Sequence, residues 1–264
     1  MLFGKHSSIG GRDQNEDKLF VSENIDGKDT TTSPINLTFI CDGHGGKEIS
    51  EYLHQQIPAI FMNKSQSYPI TQKKGTTICT QIQSGLENKK CALETGSTAI
   101  ICAFYKTRSG LYYSILNVGD CRAVICRDNA GIPLTIDHKP NWPNEYRRIT
   151  ALGGKPYRDG PDYRIDGLSV SRAFGDLNQK KFVYPLPDVT SYKIHSSDKF
   201  IVFACDGIWD VASNQDIVNY ILNIAYDKDY VRVLAPATVA KKIVQYAIDN
   251  KSTDNVSVVI VFFD

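Results

Sequence analysis

The last stretch of the chain sets the tightest limit on its fold. Residues 256–263 are apolar at every position except Ser257. A strand that alternates apolar and polar residues can leave one face in water, but one this uniformly apolar needs cover on both faces. Further runs rich in Val, Ile, Phe and Tyr, bounded by Gly, Asp or Asn, occupy residues 35–41, 98–105, 111–118, 122–126 and 200–205. The three between Thr98 and Cys126 are separated only by the turns at Arg108-Ser109-Gly110 and Gly119-Asp120. Connections that short join antiparallel neighbours. Helical spacing relates Ile49, Leu53, Ile57 and Ile60, and again Val239, Ile243 and Ala247 with Ile248 beside it. Residues 214–226, with Asn214 as the cap, and 144–152, stopped by Gly153-Gly154, are two more amphipathic candidates. Sheets covered by another sheet on one side and by helices on the other fit this pattern, an α+β layered fold.

Composition narrows the class. Hydrophobic residues make up 42% and charged residues 22%, ordinary for a folded chain of 264 residues. Lys plus Arg (30) nearly balance Asp plus Glu (29), which argues against a nucleic-acid binder. No apolar run approaches the roughly 20 residues of a membrane span. The start carries no signal-peptide core and no glycine at position 2. Seven cysteines scattered through apolar segments make no disulfide framework, and no C-x-x-C or H-x-H suggests zinc. The expectation is a monomeric cytoplasmic protein, the nucleus being the other compartment to consider. No repeat or linker divides it, so residues 1–264 read as one domain. The polar segments 64–76 and 155–167 read as surface excursions.

Acidic residues at the ends of the apolar runs carry the chemistry. Phe39-Ile40-Cys41-Asp42-Gly43 and Phe203-Ala204-Cys205-Asp206-Gly207 both run from a buried-looking strand straight into Asp-Gly. One such pair could be a plain turn. Two more acidic clusters, Glu16-Asp17 before an apolar run and Asp254-Asn255 before the last one, add to them. Carboxylates converging at one end of a sheet stack would bind Mg²⁺ or Mn²⁺ rather than zinc, because they are hard oxygen donors.

The motifs R-x-x-N-E-D, D-G-H-G-G, E-T-G-S-T-A, N-V-G-D-x-R, D-H-K-P, S-R-A-F-G-D, D-G-I-W-D and S-x-D-N occur in that order from Arg12 to Asn255. In this the chain resembles the metal-dependent protein serine/threonine phosphatases of type 2C, over essentially its whole length. The resemblance implies an antiparallel β-sandwich of two sheets flanked on both sides by helices, four layers in all. It implies Asp42, Gly43, Asp206 and Asp254 as ligands of a binuclear Mg²⁺ or Mn²⁺ centre, with Glu16 acting through water and Asp17 directly or through water. Arg12 matches the residue that grips the substrate phosphate, and His44 the general acid. Asp137 and Asp210 match a weaker third-metal site. The implied reaction is attack on a phosphoserine or phosphothreonine protein by a metal-activated hydroxide, without a phospho-enzyme. Residues 154–167 take the place of the family's variable flap. Asp120, Glu94, His138 and Trp209 read as architecture, and Arg172 with Asp176 as a structural pair supporting the flap.

Rival signatures fail on their own chemistry. Cys121 and Arg127 have the C-x₅-R spacing of cysteine-dependent phosphatases, but the intervening Arg-Ala-Val-Ile-Cys is a strand without the glycines a phosphate loop needs. Asp13, Asn15 and Asp17 imitate half an EF-hand loop, yet Lys18 stands where glycine is required. An inactive relative serving as a binding module, and a metal-dependent phosphodiesterase, are the alternative functions. The segment from Gly46 to Gly96 is shorter than the resemblance leads one to expect, which places one outer helix in question.

Overall fold

The computed structural model describes residues 1–22, 36–61 and 67–263. Chain order runs β1 (Leu2–Ser8), β2 (Lys18–Ser22), β3 (Asn36–His44), α1 (Glu48–Phe61), α2 (Gln72–Ser84), β4 (Gly96–Thr107), β5 (Gly110–Val118), β6 (Arg122–Arg127) and β7 (Ala130–Pro133). It continues with α3 (Pro143–Ala151), β8 (Tyr157–Asp159), β9 (Asp162–Arg164), β10 (Phe174–Gly175), β11 (Asp188–Lys193) and β12 (Asp198–Ala204). Then come a single turn α4 (Asp206–Trp209), α5 (Asn214–Ala225), α6 (Pro236–Asp249) and β13 (Val256–Phe262).

Two antiparallel sheets face each other. One has the order β1-β13-β12-β6-β7, the other β11-β5-β4-β3-β2 with β10 beside β4. The period of two in each strand sorts its side chains between two cores. Ile201 and Phe203 of β12, Val259 and Val261 of β13 and Ile40 of β3 fill the space between the sheets. The alternate residues Phe200, Val202, Val258 and Ile260 meet α5 and α6 on the outside. Leu37, Phe39 and Cys41 of β3 likewise meet α1 and α2 on the other flank. β13 thus carries apolar residues on both faces because it lies between two cores. Burial of each such side chain contributes about 1.5–3 kcal/mol relative to exposure. The four-layer expectation holds.

Several local expectations change. Segment 64–76 is not wholly an excursion: Thr71 accepts the Lys74 amide and starts α2 at Gln72, while 64–66 lie outside the described residues. Both α1 and α2 are therefore present in the short segment before Gly96. The cap of α5 is Ser213 rather than Asn214, in a reciprocal box with Asp216. Residue 35 of the first predicted strand also lies outside the described residues. Residues 157–164 form a hairpin, β8 paired with β9, next to a small apolar cluster of Ile149, Ile165, Val170, Ala173 and Val183. All seven cysteines are free thiols. Among the described residues no helix is long and apolar enough to cross a membrane.

Candidate active site

Both sheets end in acid at the same edge of the sandwich. β3 is buried through Cys41 and emerges at Asp42, Gly43 and His44, whose partners on β4 are Thr98, Ser97 and Gly96. Asp206 follows the last residues of β12 and opens α4, Asp254 precedes β13, and Asp17 precedes β2. Asp42, Asp206, Asp254, Glu16, Arg12 and His44 line one open cavity of about 470 Å³. Carboxylate oxygens of Asp42, Asp120 and Asp206 lie within 4.8 Å of one another, and Asp17, Asp42 and the Cys205 thiol form a second such group.

The charges in this cavity are poorly compensated. Both carboxylate oxygens of Asp17 are buried and have no hydrogen-bond partner among the described residues. Burial pushes its pKa up to about 6. Burial raises Asp42 well above the ordinary carboxylate range, and the charges of Asp17, Asp206 and Asp120 add to the shift. Asp206 is raised in the same way, against the pull of Lys139. The Lys139 ammonium lies 2.5 Å from Asp120 and 3.6 Å from Asp206. Unpartnered buried oxygens among mutually repelling carboxylates fit a hard divalent cation, which would supply the missing positive charge.

A single side chain holds the acidic rim in register. Asn255 accepts the Glu16 amide through Oδ1 (2.8 Å) and donates through Nδ2 to the carbonyls of Ile9 (2.9 Å) and Gln14 (2.8 Å). Gly10, at φ +57°, passes so close to the Asp254 carbonyl that a Cβ would stand 1.8 Å from it. Arg12 reaches the cavity from this loop, with Nη2 2.6 Å from Asp254 Oδ2 and its side chain 58% exposed.

His44 is oriented from the opposite side. Its Nε2 lies 2.8 Å from Oδ2 of the buried Asp176. Burial alone would lower the imidazole pKa, but the bond and charge of Asp176 outweigh it and raise it. The contact needs Gly96, where a Cβ would stand 2.1 Å from Asp176 Oδ2 and 2.4 Å from His44 Nε2. The expected Arg172–Asp176 pair is therefore not formed. Arg172 instead donates to Glu145 (2.7 Å) and Asp188 (2.8 Å).

Of the two third-metal candidates, Asp137 is held by both ends of the Arg122 guanidinium, at 3.0 and 2.6 Å, and does not line the cavity. Asp210 follows the last residue of α4, exposed at the surface and also outside the lining. His138 and Trp209 are structural as expected: His138 accepts the Gly119 amide (3.0 Å) and Trp209 donates to the Ala204 carbonyl (3.0 Å). Asp120 was read as architecture and proves to be a member of the acidic group. Its signal was present, since Gly119-Asp120 also sits at a strand boundary. Lys139 and Asp176 lie in the motifs D-H-K-P and S-R-A-F-G-D, but their partners could not be read there, because only folding brings them together.

Residues 1–256 match the family model for protein phosphatase 2C. A PP2C-like domain-containing protein of Acanthamoeba polyphaga mimivirus is 41% identical over 166 residues, 56% of this chain and 93% of that protein. The probable protein phosphatase 2C 59 of Oryza sativa subsp. japonica is 33% identical over 269 residues, 99% of this chain and 75% of that protein. Among solved structures, a Caenorhabditis elegans sex determining protein superposes with a TM-score of 0.81 at 26% identity, covering 99% of this chain and 64% of that one.

Proposed function

Because this chain belongs to the protein phosphatase 2C family, we propose that it hydrolyses phosphoserine and phosphothreonine in proteins, using a pair of Mg²⁺ or Mn²⁺ ions. The observation that carries this reading is the meeting, in one open cavity, of Asp42, Asp120, Asp206 and Asp254 with an arginine and a histidine, beside the unpartnered buried carboxylate of Asp17. Asp42, Asp206, Asp254 and Asp17, with the Gly43 carbonyl, would hold the ions, and Glu16 would do so through water. When bound, such ions make a water more acidic and neutralise phosphoryl charge, which removes the need for a phospho-enzyme.

The chain's own residues supply the rest. Arg12 has one edge of its fork held by Asp254 and the remainder open, an arrangement suited to the oxygens of an incoming phosphoryl group. Asp176 accepts the Nε2 proton of the His44 imidazolium, leaving the proton on Nδ1 for the departing serine or threonine oxygen. The ring stays on station because Asp176 is itself buried and its amide is bonded to the Thr95 carbonyl at 3.1 Å.

The direct test is phosphate release from a phosphothreonine peptide, with Mn²⁺ or Mg²⁺ titrated back after EDTA. Turnover restored by metal is the expected result. A folded sample that releases no phosphate at any metal concentration would instead point to an inactive binding module.

A further inference from the structure

The flap hairpin places a second arginine at the phosphate cavity. Arg164, the last residue of β9, lines the same cavity as Arg12, together with Leu168, Ser169 and Val170. Its guanidinium is not loose. Nε donates to Asp159 Oδ2 across the hairpin (2.9 Å) and Nη1 to the Gly167 carbonyl (2.8 Å), leaving the side chain 31% exposed. The backbone beside it is equally fixed. Ile165 and Leu168 exchange two hydrogen bonds of 2.9 and 3.0 Å around Asp166 and Gly167, whose φ values of +48° and +88° suit a tight Asp-Gly turn. Ile165 is buried in the cluster next to the hairpin. Alternation along the strand directs Arg164 away from that cluster.

The hydrolysis proposed above assigns the phosphoryl group to Arg12 and no step to Arg164. A fixed, half-covered fork beside a phosphate site recognises a second anion on the same ligand. We propose that Arg164 is a specificity-determining residue. In this role it selects peptides carrying a second anionic group, a carboxylate or another phosphate, next to the phosphoresidue. This rests on the phosphatase reading above.

The experiment compares kcat/KM for matched phosphothreonine peptides flanked by Ala, Asp, a second phosphoserine or Lys, at saturating Mn²⁺. The wild-type chain should favour the anionic flanks over Ala by about fivefold, the scale of one partly exposed charge pair. In Arg164→Gln the anionic-to-Ala ratio should fall to about one, and in Arg164→Glu the Lys flank should become the preferred one. A larger ratio for phosphoserine than for Asp would identify phosphate as the preferred anion, and equal ratios would make charge alone the criterion. Ratios unchanged in both variants would overturn the proposal. So would an equal loss on every peptide, which would mean that Arg164 holds the transferred phosphoryl itself. Because each result is a ratio within one preparation, a general fall in activity does not mimic it. Absence of turnover on the Ala-flanked peptide would refute the phosphatase reading, whereas turnover without flank preference refutes this inference alone.

Discussion

Two charged regions lie within this one fold, and they are built on opposite terms. At the acidic edge, Asp42 is grouped with Asp120 and Asp206 on one side and with the buried Asp17 on the other, and the Lys139 ammonium meets Asp120 and Asp206. Beside α3, the buried Glu145 is gripped by Arg148 (2.8 Å) and Arg172 (2.7 Å), and Arg172 continues to Asp188, which also faces His138 at 3.2 Å. Burial alone would raise Glu145, but the bonds from Arg172 and Arg148 outweigh it and lower its pKa. Asp188 is lowered too, by His138 first and then Arg172. The clamp satisfies its charges internally and so stabilises the fold. At the acidic edge carboxylates outnumber the cations that meet them, a donor set that could hold a metal ion.

Four measurements would break or sharpen that contrast. The largest effect is expected for Asp206→Asn. Turnover at limiting Mn²⁺ should fall roughly a thousandfold, about 4 kcal/mol, while the metal-free chain melts no lower than wild type because one repelling charge is gone. Full activity in this variant would remove Asp206 from the ligand set. Next comes Glu145→Gln, which leaves two arginines without their carboxylate and should cost about 3 kcal/mol in urea unfolding. A loss below 1 kcal/mol would show that the clamp contributes little. Third, Mn²⁺ at a hundred times its dissociation constant should stabilise the folded chain by about 2.7 kcal/mol. An unchanged melting temperature would deny the cavity its cation.

The smallest effect is a difference in sign with pH. Asp17 holds its proton to about pH 6 when folded, above its ordinary value near 4. The folded, metal-free chain therefore takes up protons in that window, and raising the pH through it should weaken the fold by at most roughly 2.7 kcal/mol. Glu145 works the other way: its stabilisation is complete above about pH 4.5 and lost as the pH falls through its lowered folded value. Without metal, unfolding midpoints should therefore be highest at the acid end of a pH 4 to 8 series and fall between about pH 4.5 and 7, and saturating Mn²⁺ should remove that decline. A metal-free midpoint that rises steadily to pH 8 would contradict the cavity's strain.

The cavity was more legible in the sequence than the clamp. Its carboxylates announce themselves locally, each at the end of an apolar strand, and the strand pattern that placed them also gave the layers. The helix α2 escaped notice because its apolar residues Ile78, Cys79 and Ile82 are few and its first turns are polar. β1 was missed for a related reason, since Lys5 and His6 interrupt it and only pairing with β13 makes it a strand. The clamp could not be read at all. Glu145 and Asp188 are ordinary charged residues in sequence, and Arg172, though part of S-R-A-F-G-D, shows no partner there, since its pairing depends on how α3 lies against the segments flanking β10. The same holds for Asp176, whose partner His44 is 132 residues away.

The bonds that Asn255 makes to residues 9–16, and the pairing of β1 with β13, join regions some 240 residues apart. During synthesis this has an order of events built into it. A growing chain can expose Asp42 and His44 early, yet the loop carrying Arg12 has no staple and β1 no strand beside it until residues 254–262 emerge from the ribosome. The acidic edge is among the first parts begun and the last completed, so a nascent chain carries Asp17, Asp42 and Asp120 long before the edge they belong to is closed.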